Sequence, residues 1–199
     1  MHYIDLLPAI PKMTELLTYF NQIQKLSNES EESLVSICNE TIVKKGKDLH
    51  PIGNTCRNIY FIKQGLLRIY YFKDDTDVTE SFEFENAIVA RADSLFNANP
   101  SKKGIQAIEY SELVAINSGQ LFKLYDDFPD IERLFRKIFE NSYVETVNRI
   151  ESLQFHTAEE RYTNLLNQSK NIVQRVPLKH IASYLGITQV SLSRIRAKR

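Results

Sequence analysis

The side chains best suited to sequence-dependent chemistry lie close to the C-terminus, at Gln189, Val190 and Arg194. A glutamine amide can form two hydrogen bonds with adenine, an arginine guanidinium can form two with guanine, and a valine methyl group can contact the methyl group of thymine. All three residues follow a Gly-Ile-Thr turn within one short segment. This pattern predicts contacts to base edges in a DNA groove.

Neighbouring polar and basic residues are suited to the DNA backbone instead. Such side chains bind phosphate oxygens, which positions a protein on DNA without selecting a sequence. The remaining members of the predicted DNA-binding set are Lys179, His180, Ser191, Ser193, Arg196 and Lys198. We expect phosphate contacts from all of them except Ser193, which we place on the outward face of the same helix.

The spacing around these residues predicts two short helices joined by a sharp turn. Pro177 suits the first turn of a helix, and Gly186 suits a helix end because glycine adopts the left-handed conformation freely. Thr188 can cap the second helix with its hydroxyl group. Apolar and small residues at helical spacing face the core: Ile181, Ala182, Leu185, Leu192 and Ile195. The pattern is typical of a helix-turn-helix, and two packed helices with a solvated basic face remain the alternative.

The charge distribution is uneven, although the formal net charge is zero. Residues 170–199 contain seven basic and no acidic residues, whereas residues 1–169 contain 18 basic and all 25 acidic residues. A basic segment on an acidic body favours nucleic-acid binding. A basic tail that only aids solubility is the other interpretation.

Other chemistries lack the residues that they require. Of the four histidines, only His50 falls in the strand-rich region, so we expect no metal site. Cys38 and Cys56 are too few for an iron–sulfur cluster, and without a secretory signal we interpret them as free thiols. No phosphate loop or nucleophile elbow is present. We therefore expect no catalytic residues, no cofactor and no enzymatic activity.

The elements upstream must position the C-terminal motif. Apolar periodicity predicts helices in residues 1–40, including one near 30–38. Alternating segments separated by turns then predict strands at 58–62, 66–72, 78–84, 87–90, 104–110 and 113–117, as in a sandwich, barrel or jelly roll.

A long helix follows, with Pro129 in its first turn. It has more apolar surface than one neighbouring domain covers, which favours a dimer axis over an ordinary core helix. Thr157 and Glu160 form a capping-box pattern that restarts the helix after a hinge at 155–157. We divide the chain into a sensor domain (1–118), a linking helix (119–155) and a DNA-binding domain (156–199).

In this order of parts, the chain resembles the CRP/FNR family of bacterial regulators. The resemblance covers nearly the whole chain and is carried by Gly46, Gly53 and Gly65, by YFIKQGLLR at 60–68 and, most specifically, by IASYLGITQVSLSRI at 181–195. It implies an α+β fold with an N-terminal jelly-roll-like, cyclic-nucleotide-binding-like β-roll, a long dimerisation helix and a C-terminal helix-turn-helix. It also implies a homodimer on a two-fold symmetric operator, with base contacts from Gln189, Val190 and Arg194.

The chain departs from the family's nucleotide-binding pattern. The Gly-Glu pair and the arginine that close the phosphate cassette are absent, so we expect no response to cyclic AMP. The charged residues left at the matching positions are Arg91, Asp93, Lys102 and Lys103, and these are our candidates for contact with another effector.

The candidate partners are double-stranded DNA, a second copy of the chain, a small-molecule effector and RNA polymerase. No apolar stretch is long enough to span a bilayer, and the N-terminus does not have the pattern of a signal peptide, so we expect a cytoplasmic protein with no membrane partner. The alternative function is a sensor module whose basic tail contacts a protein partner rather than a specific operator.

Overall fold

The computed structural model describes residues 13–197 and has an α+β fold. Two helices precede the sheets, α1 (Thr14–Ile23) and α2 (Asn28–Ser36). The Ser27 hydroxyl group caps α2 by accepting a hydrogen bond from the Ser30 backbone N–H. The predicted helix near 30–38 is thus present but ends at Ser36, and residues 1–12 of the predicted N-terminal helices lie outside the described residues.

Eight strands form the roll: β1 (Cys38–Val43), β2 (Asp48–His50), β3 (Asn58–Gln64), β4 (Leu67–Lys73), β5 (Thr76–Glu83), β6 (Ile88–Val89), β7 (Gly104–Ala107) and β8 (Ser111–Asn117). They pair into two four-stranded antiparallel sheets, in the orders β1-β8-β3-β6 and β2-β7-β4-β5. A short helix, α3 (Ala92–Asn97), lies between β6 and β7. The six predicted strands are confirmed, whereas β1, β2 and α3 were not predicted.

The space between the two sheets is filled by apolar side chains. Alternate residues of each strand face inward, because successive side chains of a strand point to opposite faces. The buried members of this cluster are Val43, Tyr60, Ile62, Leu67, Ile69, Val89, Ile105, Ala107, Leu113 and Ala115. This interior is the core of the roll.

Two consecutive helices follow the roll, α4 (Ser118–Asp127) and α5 (Pro129–Phe155). Pro129 begins α5 as predicted, since its fixed φ suits the first helical position. The N-terminal half of α5 packs through Ile131, Leu134 and Phe135 into a core shared with α1 and β3. Its C-terminal half is largely exposed in the single chain.

The C-terminal segment contains α6 (Ala158–Gln168), α7 (Ile172–Arg175), α8 (Leu178–Tyr184) and α9 (Gln189–Ala197). The predicted capping box is confirmed: the Thr157 hydroxyl group accepts from the Glu160 N–H, and the Glu160 carboxylate accepts from the Thr157 N–H. The core of this segment also contains Leu66 and Ile108 of the roll. The helices therefore pack directly against the sheets.

None of the helices within residues 13–197 has both the length and the apolar character that crossing a membrane requires.

Candidate DNA-binding surface

The turn between α8 and α9 has the geometry of a tight helix stop. Gly186 has φ +69°. Its N–H donates to the Ser183 carbonyl at 3.0 Å, and the Ile187 N–H donates to the Ala182 carbonyl at 3.0 Å. These two bonds define a Schellman motif, which satisfies carbonyl groups that the end of a helix leaves free. The predicted role of Gly186 is confirmed.

Helix α9 begins immediately after this turn. The Thr188 hydroxyl group accepts a hydrogen bond from the Ser191 N–H at 3.1 Å, which is the predicted cap. Leu192 is fully buried and Ile195 is partly buried against the same core. These contacts orient the opposite side of α9 toward solvent.

The outward side of α9 brings together most of the predicted DNA-binding residues. Gln189, Val190, Ser193, Arg194 and Arg196 are exposed, and Ser191 is half-buried beside Thr188. Val190 is 61% exposed, so its methyl groups are accessible to a base edge. Exposed residues of these types on the second helix suit insertion into a major groove.

Three residues of the predicted DNA-binding set lie outside α9 as the structure describes it: Lys179, His180 and Lys198. Lys179 is exposed at the start of α8. His180, which we expected on the outer surface, is only 7% exposed and faces the roll instead. Its ring is therefore not available to a phosphate in this structure. Lys198 lies outside the described residues.

His180 contacts a buried arginine of the roll that sequence reasoning missed. Arg68 lies on β4, and its side chain is 3% exposed. It forms a two-pronged ion pair with Asp77 of β5, at 2.6 and 2.7 Å. Arg68 Nη1 also lies 2.8 Å from His180 Nδ1 and 3.0 Å from Thr79 Oγ1. Leu67 and Ile69 face the interior of the roll, so alternation places Arg68 on the outer face of the sheet, where a charged residue gives no signal of burial.

The electrostatics of this contact favour a neutral imidazole. Burial is the main cause that lowers the pKa of His180 from 6.5 to about 4, and the positive charge of Arg68 acts in the same direction. Asp77 has a pKa below its usual value, because hydrogen bonds from Arg68 outweigh the opposing effect of burial. The ion pair and the neutral histidine therefore coexist near neutral pH.

A second polar contact joins the roll to the C-terminal helices. Arg175 of α7 binds Glu85 at 2.6 Å and also pairs with Glu109. The Thr79 N–H donates to the Ser183 hydroxyl group at 2.9 Å, so α8 is also bound to the backbone of β5. Because the charge of Arg175 is occupied here, the basic C-terminal segment presents less free positive charge to DNA than its composition suggests.

Of the four predicted effector residues, only Arg91 and Asp93 are paired with each other in the structure. Arg91 is buried and binds the exposed Asp93 at 3.3 Å. Lys103 pairs with Glu80 and lies over the ring of Tyr71. Lys102 is exposed. The structure thus places Arg91 and Asp93 together, and Lys103 with an acidic partner of its own.

His50 is a further polar residue of the roll that sequence reasoning left unassigned. It is buried, and both its Nε2 and the Nε of Arg91 are buried without a hydrogen-bond partner among the described residues. Burial, then the positive charge of Arg91, lowers the pKa of His50 below its ordinary value. Within residues 13–197, no group of three or more histidine, cysteine or acidic side chains is arranged to hold a metal ion.

The C-terminal half of α5 exposes an apolar stripe. Tyr143, Val147 and Ile150 recur at spacings of four and three, which places them on one side of the helix. Tyr143 is 71% exposed and Ile150 is 49% exposed. The adjacent Arg149 turns toward the C-terminal helices, where its guanidinium lies over the ring of Tyr184.

Solved structures share this arrangement of roll, long helix and C-terminal helices. FixK2 from Bradyrhizobium japonicum superposes with a TM-score of 0.72 at 16% identity, over 81% of this chain and 84% of its own. A CooA variant from Carboxydothermus hydrogenoformans gives 0.68 at 18% identity, over 94% and 83% of the two chains. A CRP/FNR-family transcriptional regulator from Eubacterium rectale gives 0.70 at 18% identity, over 89% and 85%. The chain has the CRP/FNR fold.

The CRP/FNR fold explains the order of elements that the sequence predicted. The resemblance drawn from the sequence is confirmed at this level, because structures of that fold cover most of the chain from the roll to the last helices. Neither the family models nor the curated proteins give a match to the sequence.

Proposed function

We propose that the protein is a sequence-specific, DNA-binding transcription regulator of the CRP/FNR type that acts as a homodimer. The observation that carries this proposal is the outward side of α9, where Gln189, Val190 and Arg194 are exposed together on the second helix of a helix-turn-helix. In such motifs the second helix enters the major groove. The CRP/FNR fold supports the same function.

In this proposal residues 1–118 form the sensor domain, residues 119–155 link the two copies of the chain, and residues 156–199 bind DNA. The apolar stripe formed by the exposed Tyr143 and Ile150 and the half-buried Val147 supports the role of residues 119–155, because apolar spacing of this kind is typical of a helix that packs against its own copy. A dimer would present two copies of α9 to two half-sites.

The deciding experiment is selection of the purified protein on randomised double-stranded DNA. We expect a symmetric consensus whose half-sites are separated by about one helical turn. Binding of all duplexes with equal affinity would contradict the proposal and favour the alternative of a sensor whose basic tail contacts a protein. Each selected duplex should be compared with a scrambled duplex at the same salt concentration, because non-specific binding depends strongly on salt.

We propose further that the protein does not respond to cyclic AMP. The cassette Gly-Glu pair and arginine are missing, and the interior of the roll is filled by apolar side chains. Calorimetric titration with cyclic AMP should therefore give no binding heat, and operator affinity should not change when the nucleotide is added. Saturable binding at micromolar concentration would contradict this expectation.

Any effector that enters the roll would instead encounter the charges of Arg91, Asp93, Lys102 and Lys103. Arg91 is the strongest of these candidates, because its buried Nε has no hydrogen-bond partner among residues 13–197 and can donate to an acceptor on a ligand. A ligand that binds there should bind more weakly to an Arg91→Met variant, as measured by calorimetry.

A further inference from the structure

We propose that Arg68 of β4 is a positioning residue for DNA binding: it sets the orientation of the recognition helix α9 by holding His180 of α8. This inference rests on the proposed function, and it assigns a role to a residue outside the helix-turn-helix. We call the hydrogen bond between Arg68 Nη1 and His180 Nδ1 the Arg68–His180 contact. The roll and the DNA-binding domain meet at this point.

The contact is suited to fixing an orientation because the hydrogen-bond partners of Arg68 come from several elements. Its Nε donates to Gln106 of β7 at 3.0 Å, and its two terminal nitrogens donate to Asp77 of β5. A planar guanidinium bound to two strands in this way has little freedom to rotate. The nitrogen that reaches His180 therefore has a defined position.

Movement of α8 passes directly to α9. Only a short turn separates the two helices, and its backbone is held by the bonds from Gly186 and Ile187 and by the Thr188 cap. Ala182 and Leu192 are both buried in the core that the two helices share. A shift of α8 on the roll would therefore move the exposed side of α9 by a comparable amount.

The Arg68–His180 contact requires a neutral imidazole. A guanidinium can only donate hydrogen bonds, so His180 Nδ1 must accept and its proton must be on Nε2. The charged groups that face the ring are Arg68 and Asp77 from the strands and Lys179 from its own helix. Because Asp77 is already paired with Arg68, a protonated His180 would stand beside two cations without a free acid.

A pair of substitutions at one position separates the hydrogen bond from the rest of the side chain. His180→Leu removes the acceptor, whereas His180→Asn places an amide oxygen close to the position of Nδ1. We expect His180→Leu to weaken binding to the selected operator duplex about tenfold, since only part of the population then has the binding-competent orientation. His180→Asn should restore the wild-type affinity.

Binding to a scrambled duplex of equal length should be the same for all three proteins, because non-specific affinity depends on phosphate contacts. Equal operator affinities for His180→Leu and His180→Asn would overturn the proposal. So would tighter binding by His180→Leu, because the contact would then inhibit DNA binding rather than position α9. Both substitutions leave the Arg68–Asp77 ion pair of the roll in place, which protects the folding of the sheets.

The pH dependence of operator binding is a second test. If His180 only filled space in the core, replacing it with asparagine would not alter this dependence. The pKa of His180 is about 4 when α8 is docked and 6.5 when the ring is free, so the contribution of this contact to docking is fully present well above pH 6.5 and weakens as the pH falls toward 4. These values correspond to docking that is about 20-fold weaker at about pH 5 than at about pH 7. Operator affinity of the wild type should therefore fall more steeply with acid than that of His180→Asn. Parallel pH profiles would overturn the requirement for neutral His180.

A measurement without DNA separates this proposal from the proposed function. Nitrogen-15 NMR of histidine in the full chain should show His180 neutral and protonated on Nε2 at about pH 5.5, with the signal assigned by its loss in His180→Asn. A His180 that titrates near 6.5 would overturn the contact even if an operator has been found. A neutral His180 in a protein that selects no operator would instead contradict the proposed function, and with it the role in DNA binding, while leaving the Arg68–His180 contact itself confirmed.

Discussion

At the scale of single residues, exposure separates the predicted DNA-binding side chains into two groups. Gln189, Val190 and Arg194 are exposed on α9, whereas His180 is buried against Arg68. Residue type alone did not distinguish Lys179 from its neighbour His180, because both are basic and adjacent in the sequence. Their surroundings differ because successive residues of a helix point in directions about 100° apart.

Arg194 is the strongest candidate for a base contact. Replacing it with alanine should cost on the order of 1–3 kcal/mol of operator binding and relax the preference at one base position in each half-site. Selection on randomised DNA with the variant would measure both effects. Arg136→Ala is the matched control, because Arg136 is also an exposed arginine but lies on α5, where it pairs with Glu140. Uniform weakening across all sequences would make Arg194 a phosphate contact instead.

At the scale of elements, the turn between α8 and α9 depends on a backbone conformation rather than on packing. Gly186 has φ +69°, and a Cβ atom at this position would meet no atom within 4 Å. An alanine there would therefore be strained by its backbone alone. The same geometry shows why the glycine was recognisable in the sequence: no other residue type adopts this conformation without cost.

Gly186→Ala should destabilise the chain by about 1–2 kcal/mol, since a residue with a Cβ atom is forced into the left-handed region. Thermal unfolding followed by circular dichroism would measure the change. Gly119→Ala is the control, because Gly119 lies inside α4, where its Cβ would come no nearer than 3.5 Å to Asn117. That control should be neutral or stabilising, as alanine favours helix over glycine. Equal loss of stability in the two variants would refute the role of the turn.

At the scale of the whole molecule, the C-terminal half of α5 is a surface that the described part of the single chain leaves largely uncovered. Residues 131–138 of this helix supply the buried side chains, while Tyr143, Val144 and Ile150 are exposed. A continuous helix with two such halves fits a molecule in which one half packs on its own roll and the other on a second copy. Helix α5 is continuous through the point where its side chains change from buried to exposed.

Ile150→Glu should weaken or abolish the proposed dimer, because a buried carboxylate without a partner is costly in an apolar interface. Sedimentation at a series of concentrations would show a shift from dimer to monomer. Asn148→Glu introduces the same charge two residues earlier, on the other side of the helix, and should leave the dimer intact. A wild type that sediments as a monomer at all concentrations would contradict the proposed dimer itself.

The amino-acid sequence determined the features that depend on neighbouring residues. The Gly186 turn, the Thr188 cap, the Thr157–Glu160 capping box and the helix start at Pro129 were predicted from local backbone chemistry, which acts over a few residues. The predicted strands were confirmed for a similar reason, because alternation along a strand records which side faces the core.

The tertiary structure alone decided the contacts between distant segments. Arg68 and His180 are 112 positions apart, and Arg175 is 90 positions from Glu85, so no periodicity connects either pair. The end of α2 also depends on a distant segment. Cys38 was predicted to be helical, but it begins β1 because it pairs with Ile116 of β8. Long-range pairing overrides local preference because the hydrogen bonds and burial that it adds exceed the small differences in intrinsic propensity.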